Sequence, residues 1–182
     1  LISPISASET RPGEFDGAIE TPHPSWFKES FLDFREDIAE ASAEGRRLLL
    51  YFWQRGCPYC NQLVTDNLAH PDIAQTVRAR FDLIAINMWG DREVVRVDGQ
   101  TFSEKTLAAA LRVQFTPTLL FFDESGRIVL RLDGYHPPAD FLKAMEYVDP
   151  ANLDRERLMQ YVADYGDERT VKNIEAVRSY FH

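Results

Sequence analysis

The chain has 182 residues, enough for one domain whose core needs no disulfide staples. Its 20 basic and 29 acidic residues give a formal charge of −9, which disfavours nucleic acid as a partner unless charge is locally segregated. An apolar fraction of 45% argues against wholesale disorder, and two cysteines exclude a disulfide-rich scaffold; no apolar run approaches the roughly 20 residues that span a bilayer.

Residues 1–25 carry Pro4, Pro12, Pro22 and Pro24 among Ser, Thr, Glu and Gly, and predict an irregular N-terminal arm. The chain begins Leu1-Ile2-Ser3-Pro4 without a complete secretory signal, which fits a mature product after signal removal or a trimmed chain. An exported location is the expectation, although the cysteine usage fits a cytosolic protein equally. From Trp26 the pattern becomes helical. Trp26, Phe27, Phe31, Phe34, Ile38 and Ala41 lie at helical spacing, and Gly45 is a plausible C-terminal cap.

The run Leu48-Leu49-Leu50-Tyr51-Phe52-Trp53 predicts a strand buried on both faces. A helix follows from about Pro58 to Leu68, and a second from Pro71 to Arg80. Phe81 to Asn87 reads as another buried strand. Residues 88–102 interrupt the pattern with a hairpin turned at Asp98-Gly99. Ser103 caps a helix that runs to about Leu111, with Glu104 complementing the dipole in its first turn. Thr116-Pro117-Thr118 leads into a strand, Leu119 to Phe122, and Arg127 to Leu132 is its antiparallel partner. Gly134 and Pro137-Pro138 precede a helix from about Ala139 to Tyr147. Two further helical stretches in residues 151–182 form a C-terminal extension. The order predicts one α/β domain over residues 26–150, with crossover helices between its first strands and a hairpin at its end.

Cys57 and Cys60 form a single Cys-x-x-Cys. Structural zinc normally takes four ligands, and His23, His70, His136 and His182 are scattered without ligand spacing, so no metal is expected. The pair lies where a strand ends and a helix begins, at the carboxyl edge of the sheet where α/β folds usually meet ligands. Cys57 falls at the helix N-cap, and Pro58 suits the first turn. Free backbone N–H groups and the helix dipole there favour thiolate over thiol, and the thiolate is the nucleophile of disulfide exchange. Cys60 follows one turn later on the same face, within reach of Cys57. This arrangement suits attack by a more exposed Cys57 and resolution by a more buried Cys60. The plainer alternative is two cysteines that fill the core three residues apart.

The segment Tyr51 to Cys60, with Phe115-Thr116-Pro117-Thr118-Leu119-Leu120-Phe121-Phe122 and Asp133-Gly134-Tyr135, resembles the thioredoxin superfamily over about residues 31–148. Pro58 and Tyr59 are the intervening residues of glutaredoxins, but the surrounding chain is longer and lacks their glutathione-binding signature. It is more similar to exported bacterial thioredoxin-like (SoxW-like) proteins. The resemblance implies a thioredoxin-like fold, a central mixed β-sheet flanked by helices. It implies that Pro117 is a cis proline facing the cysteines, that Thr116 tunes the site, and that Gly134 lets a substrate backbone approach. Gly56, Gly134 and Tyr135 are then candidates for the substrate groove, although Gly134 reads equally as a turn glycine.

The sequence departs from the family in three places. Tyr51 stands where thioredoxins usually carry a buried aspartate, and Ala85 where an opposing lysine is common. Gly56 replaces the tryptophan before the first cysteine, while Trp53 matches the family's other tryptophan. Proton transfer from Cys60 therefore needs another route, through water or another acid. Arg55 is a candidate for lowering the Cys57 pKa, with a solvated loop arginine as the alternative, and Tyr135 and His136 are candidates for the groove border. His70 reads as a helix start.

The expected function is thiol–disulfide oxidoreduction on proteins bearing cysteines or disulfides, in the reducing direction by resemblance. No cofactor is expected, because the two cysteines carry the electrons, and in an exported setting a membrane thiol donor would recharge them. A dithiol oxidase or isomerase is the alternative within this class. A non-catalytic binding module or chaperone on the same fold is the alternative outside it.

Overall fold

The computed structural model describes residues 20–148. The N-terminal arm is described from Glu20 onward and has no regular structure up to Pro24. The expected helices of residues 151–182 lie outside the described residues.

The predicted helix from Trp26 begins instead at Phe34, as α1 (Phe34–Ala43). Leu32 takes a left-handed φ of 64°, which no helix continues through, and the Asp33 carboxylate caps the first turn by accepting from Arg35 N–H. Leu32 is buried and its carbonyl accepts from Val95 N–H at 2.8 Å, so tertiary contacts fix this break. Trp26 and Phe27 lie in a turn of the arm rather than on the helix, and Phe31 is fully exposed.

Strand β1 (Arg47–Trp53) is central and almost wholly buried. It pairs in parallel with β2 (Phe81–Asn87) and antiparallel with β5 (Thr118–Phe122), which forms a hairpin with β6 (Ile128–Asp133). The sheet order is β2-β1-β5-β6. The crossover between β1 and β2 runs through α2 (Pro58–Gln62), a π-helical segment Leu63–Leu68, and α3 (Pro71–Arg80). The continuous α-helix expected over 58–68 thus widens after Gln62. Within the wider turns Asn67 is fully buried and donates to the His136 carbonyl at 2.9 Å, tying this crossover to the loop after β6.

Alternation along the strands splits the core in two, which is why β1 reads as an unbroken apolar run. Leu49, Tyr51, Leu83, Leu119 and Phe121 face one side and pack with the residues of α2, α3 and α5 (Pro138–Tyr147). Leu48, Leu50, Phe52, Ile84 and Leu120 face the other and pack with α1 and α4 (Glu104–Ala110). The interruption at 88–102 is a short hairpin of β3 (Glu93–Val95) and β4 (Thr101–Ser103), separate from the main sheet.

Ser103 caps α4 in a reciprocal capping box with Thr106. Glu104 lies in the first turn of α4 as expected, and it is also buried. It is 2% exposed, and its carboxylate accepts from Asn87 N–H at 3.0 Å and the Arg92 guanidinium at 2.7 Å. A Cβ on Gly90 would lie 1.9 Å from Glu104 Oε2, so only glycine lets the loop between β2 and β3 pass over this carboxylate. The consequence reaches the cysteine pair, because that loop carries Trp89.

Candidate active site

Cys57 and Cys60 are joined as a disulfide at the carboxyl end of β1, their Cα atoms 5.2 Å apart. Gly56 precedes them with φ 71°, a left-handed turn that glycine adopts without strain. Cys57 is the N-cap of α2, and its Sγ accepts from Cys60 N–H at 3.0 Å. Pro58 occupies the first helical turn, where no N–H is needed. Cys57 is 9% exposed and Cys60 3%, so the order of exposure follows the expectation while both are more buried than it implied.

On the solvent side of Cys57 a chain of polar groups ends on the sulfur. The indole N–H of Trp89, which can only donate, lies 2.9 Å from Gln54 Oε1. That fixes the amide, whose Nε2 donates to Thr116 Oγ1 at 2.9 Å. The Thr116 hydroxyl, having accepted there, turns its own proton to Cys57 Sγ at 3.2 Å. Such a bond is weak to a disulfide sulfur and strengthens when the sulfur carries negative charge. The Thr116 carbonyl oxygen also lies 3.4 Å from Cys57 Sγ. The Thr116–Pro117 peptide bond is cis, and the Pro117 carbonyl accepts from Gly134 N–H at 2.8 Å.

Around this edge the chain exposes aromatic rings. Tyr59 and Tyr135 stack with centroids 6.5 Å apart, and Phe115 and Trp89 are about half exposed. Gly134 holds φ 81° with open space beside it, so its conformation requires glycine while the space leaves room for an approaching chain. His136 joins this region through its carbonyl, held by Asn67.

Behind Cys60 the surroundings are aromatic. Tyr51 is buried, pairs in register with Ala85 and Leu119, and has its phenol pKa pushed far up by burial. The His23 ring stands 4.7 Å from Trp53 and 5.7 Å from Tyr51 and stacks on Phe27 at 5.3 Å. Burial lowers its pKa below the usual histidine range. His23, Tyr51 and Trp53 share a small cavity of about 10 Å³ with both cysteines. The Arg55 guanidinium lies 3.7 Å from the Glu20 carboxylate, and its side chain lines the same cavity as both cysteines. Among the described residues no group of three His, Cys, Asp or Glu side chains is placed to hold a metal ion.

Three members of this arrangement have no signature in the sequence. Gln54 and Trp89 are 35 residues apart and meet only because β1 and β2 run in parallel register, Trp53 beside Asn87. His23 was one of four scattered histidines, and only the path of the arm brings it against Tyr51.

A thioredoxin-like domain model matches residues 34–149. Among solved structures, a thioredoxin from Thermus thermophilus is 33% identical, covering 66% of this chain and 86% of that one with a TM-score of 0.51. A thioredoxin-fold protein from Helicobacter pylori is 23% identical, covering 76% of this chain and 87% of that one with a TM-score of 0.56. None of the curated proteins compared matches the chain.

Proposed function

The chain belongs to the thioredoxin-like domain family, and we propose that, as a thiol–disulfide oxidoreductase acting on cysteine-containing proteins, it works in the reducing direction. The observation that carries the division of labour is the unequal setting of the two sulfurs. Cys57 is the more exposed and meets two donors, Cys60 N–H and the Thr116 hydroxyl, which favour its thiolate. Cys57 is the nucleophile and Cys60 the resolving cysteine.

In the forward step the Cys57 thiolate attacks one sulfur of a partner's disulfide. A mixed disulfide forms and the other partner sulfur leaves as a thiolate. Cys60 then gives up its proton and attacks Cys57 Sγ. The partner departs with both sulfurs reduced, and the Cys57–Cys60 bond carries the oxidation. Pro58 and Tyr59 shape the turn between the cysteines. Gly56, Gly134, Tyr135, Thr116 and Pro117 border the groove in which an extended partner segment lies along the backbone of residue 116. The Cys57–Cys60 bond is regenerated as dithiol by an electron donor, which we place at the membrane. That placement assumes export, on the strength of the SoxW-like resemblance. Cell fractionation with an antibody to the chain tests the location, and recovery in the cytosol alone overturns it.

The reducing direction is supported by likeness to the Thermus thermophilus thioredoxin and is tested by the equilibrium reduction potential of the pair, titrated against a thiol buffer with mass tagging. A potential near about −270 mV supports a reductase, and one near about −120 mV makes the protein a dithiol oxidase. Absence of any exchange supports the non-catalytic binding module instead.

A further inference from the structure

The resolving step makes a chemical demand that the cysteines alone do not meet. Cys60 enters it as a thiol and must lose its proton before its sulfur attacks. At 3% exposure, Cys60 has little contact with bulk water that could take that proton. The cavity of about 10 Å³ beside it has room for about one water molecule.

Besides the cysteines, the titratable side chains on that cavity wall are Glu20, His23, Tyr51 and Arg55. Arg55 is a cation without an acceptor atom. Tyr51 has its pKa pushed far up by burial, so it keeps its proton and takes up no other at neutral pH. Glu20 is exposed and lies 3.7 Å from the Arg55 guanidinium. The imidazole of His23 remains. Three rings, those of Phe27, Tyr51 and Trp53, hold it in place. Burial keeps it neutral near pH 7, with a nitrogen lone pair to receive a proton.

His23 also faces outward. It lines an open groove of about 540 Å³ with Lys28, Glu29 and Arg92, and a second cavity of about 520 Å³ with Glu20. Lys28 is engaged by Glu40 at 2.7 Å and Asp82 at 3.1 Å, and Arg92 by Glu104 at 2.7 Å. The ring thus stands between the sulfurs on one side and solvent-filled space on the other.

We propose that His23 accepts the Cys60 proton during the resolving step, relayed by one water molecule in the small cavity, and releases it to solvent through the open groove. This rests on the exchange reaction assigned above. The Cys60 S–H bond breaks and its proton becomes that of the imidazolium. The Cys60–Cys57 bond forms as the bond between Cys57 and the partner sulfur breaks. The departing partner thiolate takes a proton from solvent, and the imidazolium returns one. Two electrons pass from the cysteine pair to the partner disulfide.

The test is stopped-flow reaction of the reduced full-length protein with excess 5,5′-dithiobis(2-nitrobenzoate). The first release of coloured thiolate reads attack by Cys57. The second, independent of reagent concentration, reads resolution by Cys60. The wild-type second phase is expected to rise with pH through an inflection below about 6.5. In His23→Gln that phase falls about 100-fold at pH 7, loses the inflection and is restored by added imidazole, while the first phase keeps its rate. A second phase in His23→Gln with wild-type rate and pH profile overturns the proposal, as does equal slowing of both phases. Should the variant fail to fold, NMR titration of the His23 ring in the wild-type protein decides. Its pKa must differ between the dithiol and disulfide forms, and identical values overturn the proposal. A wild-type protein that shows no first phase refutes the exchange reaction itself, a separate failure.

Discussion

Cys57 and Cys60 stand one helical turn apart, and the structure surrounds them with opposite chemistry. Cys57 is met by hydrogen-bond donors in a chain that starts at the Trp89 indole and ends at the Thr116 hydroxyl. Cys60 is the more deeply buried sulfur, beside a cavity that both sulfurs line with the rings of Tyr51, Trp53 and His23. Donors stabilise a charge that already exists, as on a standing nucleophile. Burial without such donors favours the neutral thiol over the thiolate. On the proposed mechanism, two identical side chains take different tasks from what touches them.

The strongest way to break this comparison is to exchange the roles. Cys57→Ser is expected to abolish exchange with a disulfide peptide. Cys60→Ser is expected to abolish turnover while trapping the peptide on Cys57, seen as an adduct by mass spectrometry. If both variants trap the peptide equally, the two sulfurs are not differentiated.

A smaller effect follows from the support beneath the donor side. Glu104→Ala leaves Asn87 N–H without its carboxylate partner and the Arg92 guanidinium without its anion. We expect a loss of about 1–3 kcal/mol of stability by denaturant unfolding, because Asn87 N–H loses its acceptor while the half-exposed Arg92 is re-solvated. Within the folded fraction, Trp89 emission should shift while the rate of Cys60 resolution holds. Gly90→Ala should act in the same direction, since its Cβ meets the same carboxylate.

Thr116→Val sharpens the comparison. It removes the hydroxyl donor from Cys57, and hydrogen bonds to charged groups are worth about 1.5–3 kcal/mol, so the Cys57 pKa should rise by roughly one to two units. Thiolate absorbance near 240 nm reads this shift. Trp89→Phe should give a fraction of it, because the Gln54 amide then loses the partner that orients it.

The smallest effects are on the pH dependence of stability, and they belong to the ring side. Tyr51 has its folded pKa raised by burial, so its contribution is complete below about pH 10 and declines as pH rises beyond that. Tyr51→Phe should flatten alkaline unfolding. His23 has its folded pKa lowered by burial, so its contribution is present above about pH 6.5 and is lost as pH falls through the folded value. His23→Phe should flatten the acid limb, with thermal melts from pH 4 to 8 as the readout.

The donor side and the ring side also differ in how far the sequence disclosed them. Cys57, Pro58 and Cys60 were legible because a buried strand, a turn and a helix start are local patterns, and the cysteine spacing sits at their junction. The succession of elements followed from the same logic, as β1 and β2 are largely apolar runs and β5–β6 carries a turn signal. The start of α1 was misread because Trp26 and Phe27 satisfy helical spacing, while the left-handed Leu32 is fixed by a bond from Val95 that no local pattern announces. Glu104 holds its expected place in the first turn, but nothing in its neighbourhood reveals that a loop folds over it. Gln54, Trp89 and His23 depend on register and on the path of an irregular segment, and periodicity describes neither.

The arm has one more consequence. The family match begins at Phe34, yet His23 and Phe27, which close the ring side, precede it. The bonds that hold this segment include Lys28 N–H to the Leu83 carbonyl at 2.8 Å, the Lys28 ammonium to Asp82 at 3.1 Å and the Thr21 hydroxyl to Asn61 at 2.9 Å. The element that completes the site is therefore peripheral to the sheet that holds it. If His23 takes the Cys60 proton, substitutions in the arm retune proton handling at a buried sulfur without touching the central strands.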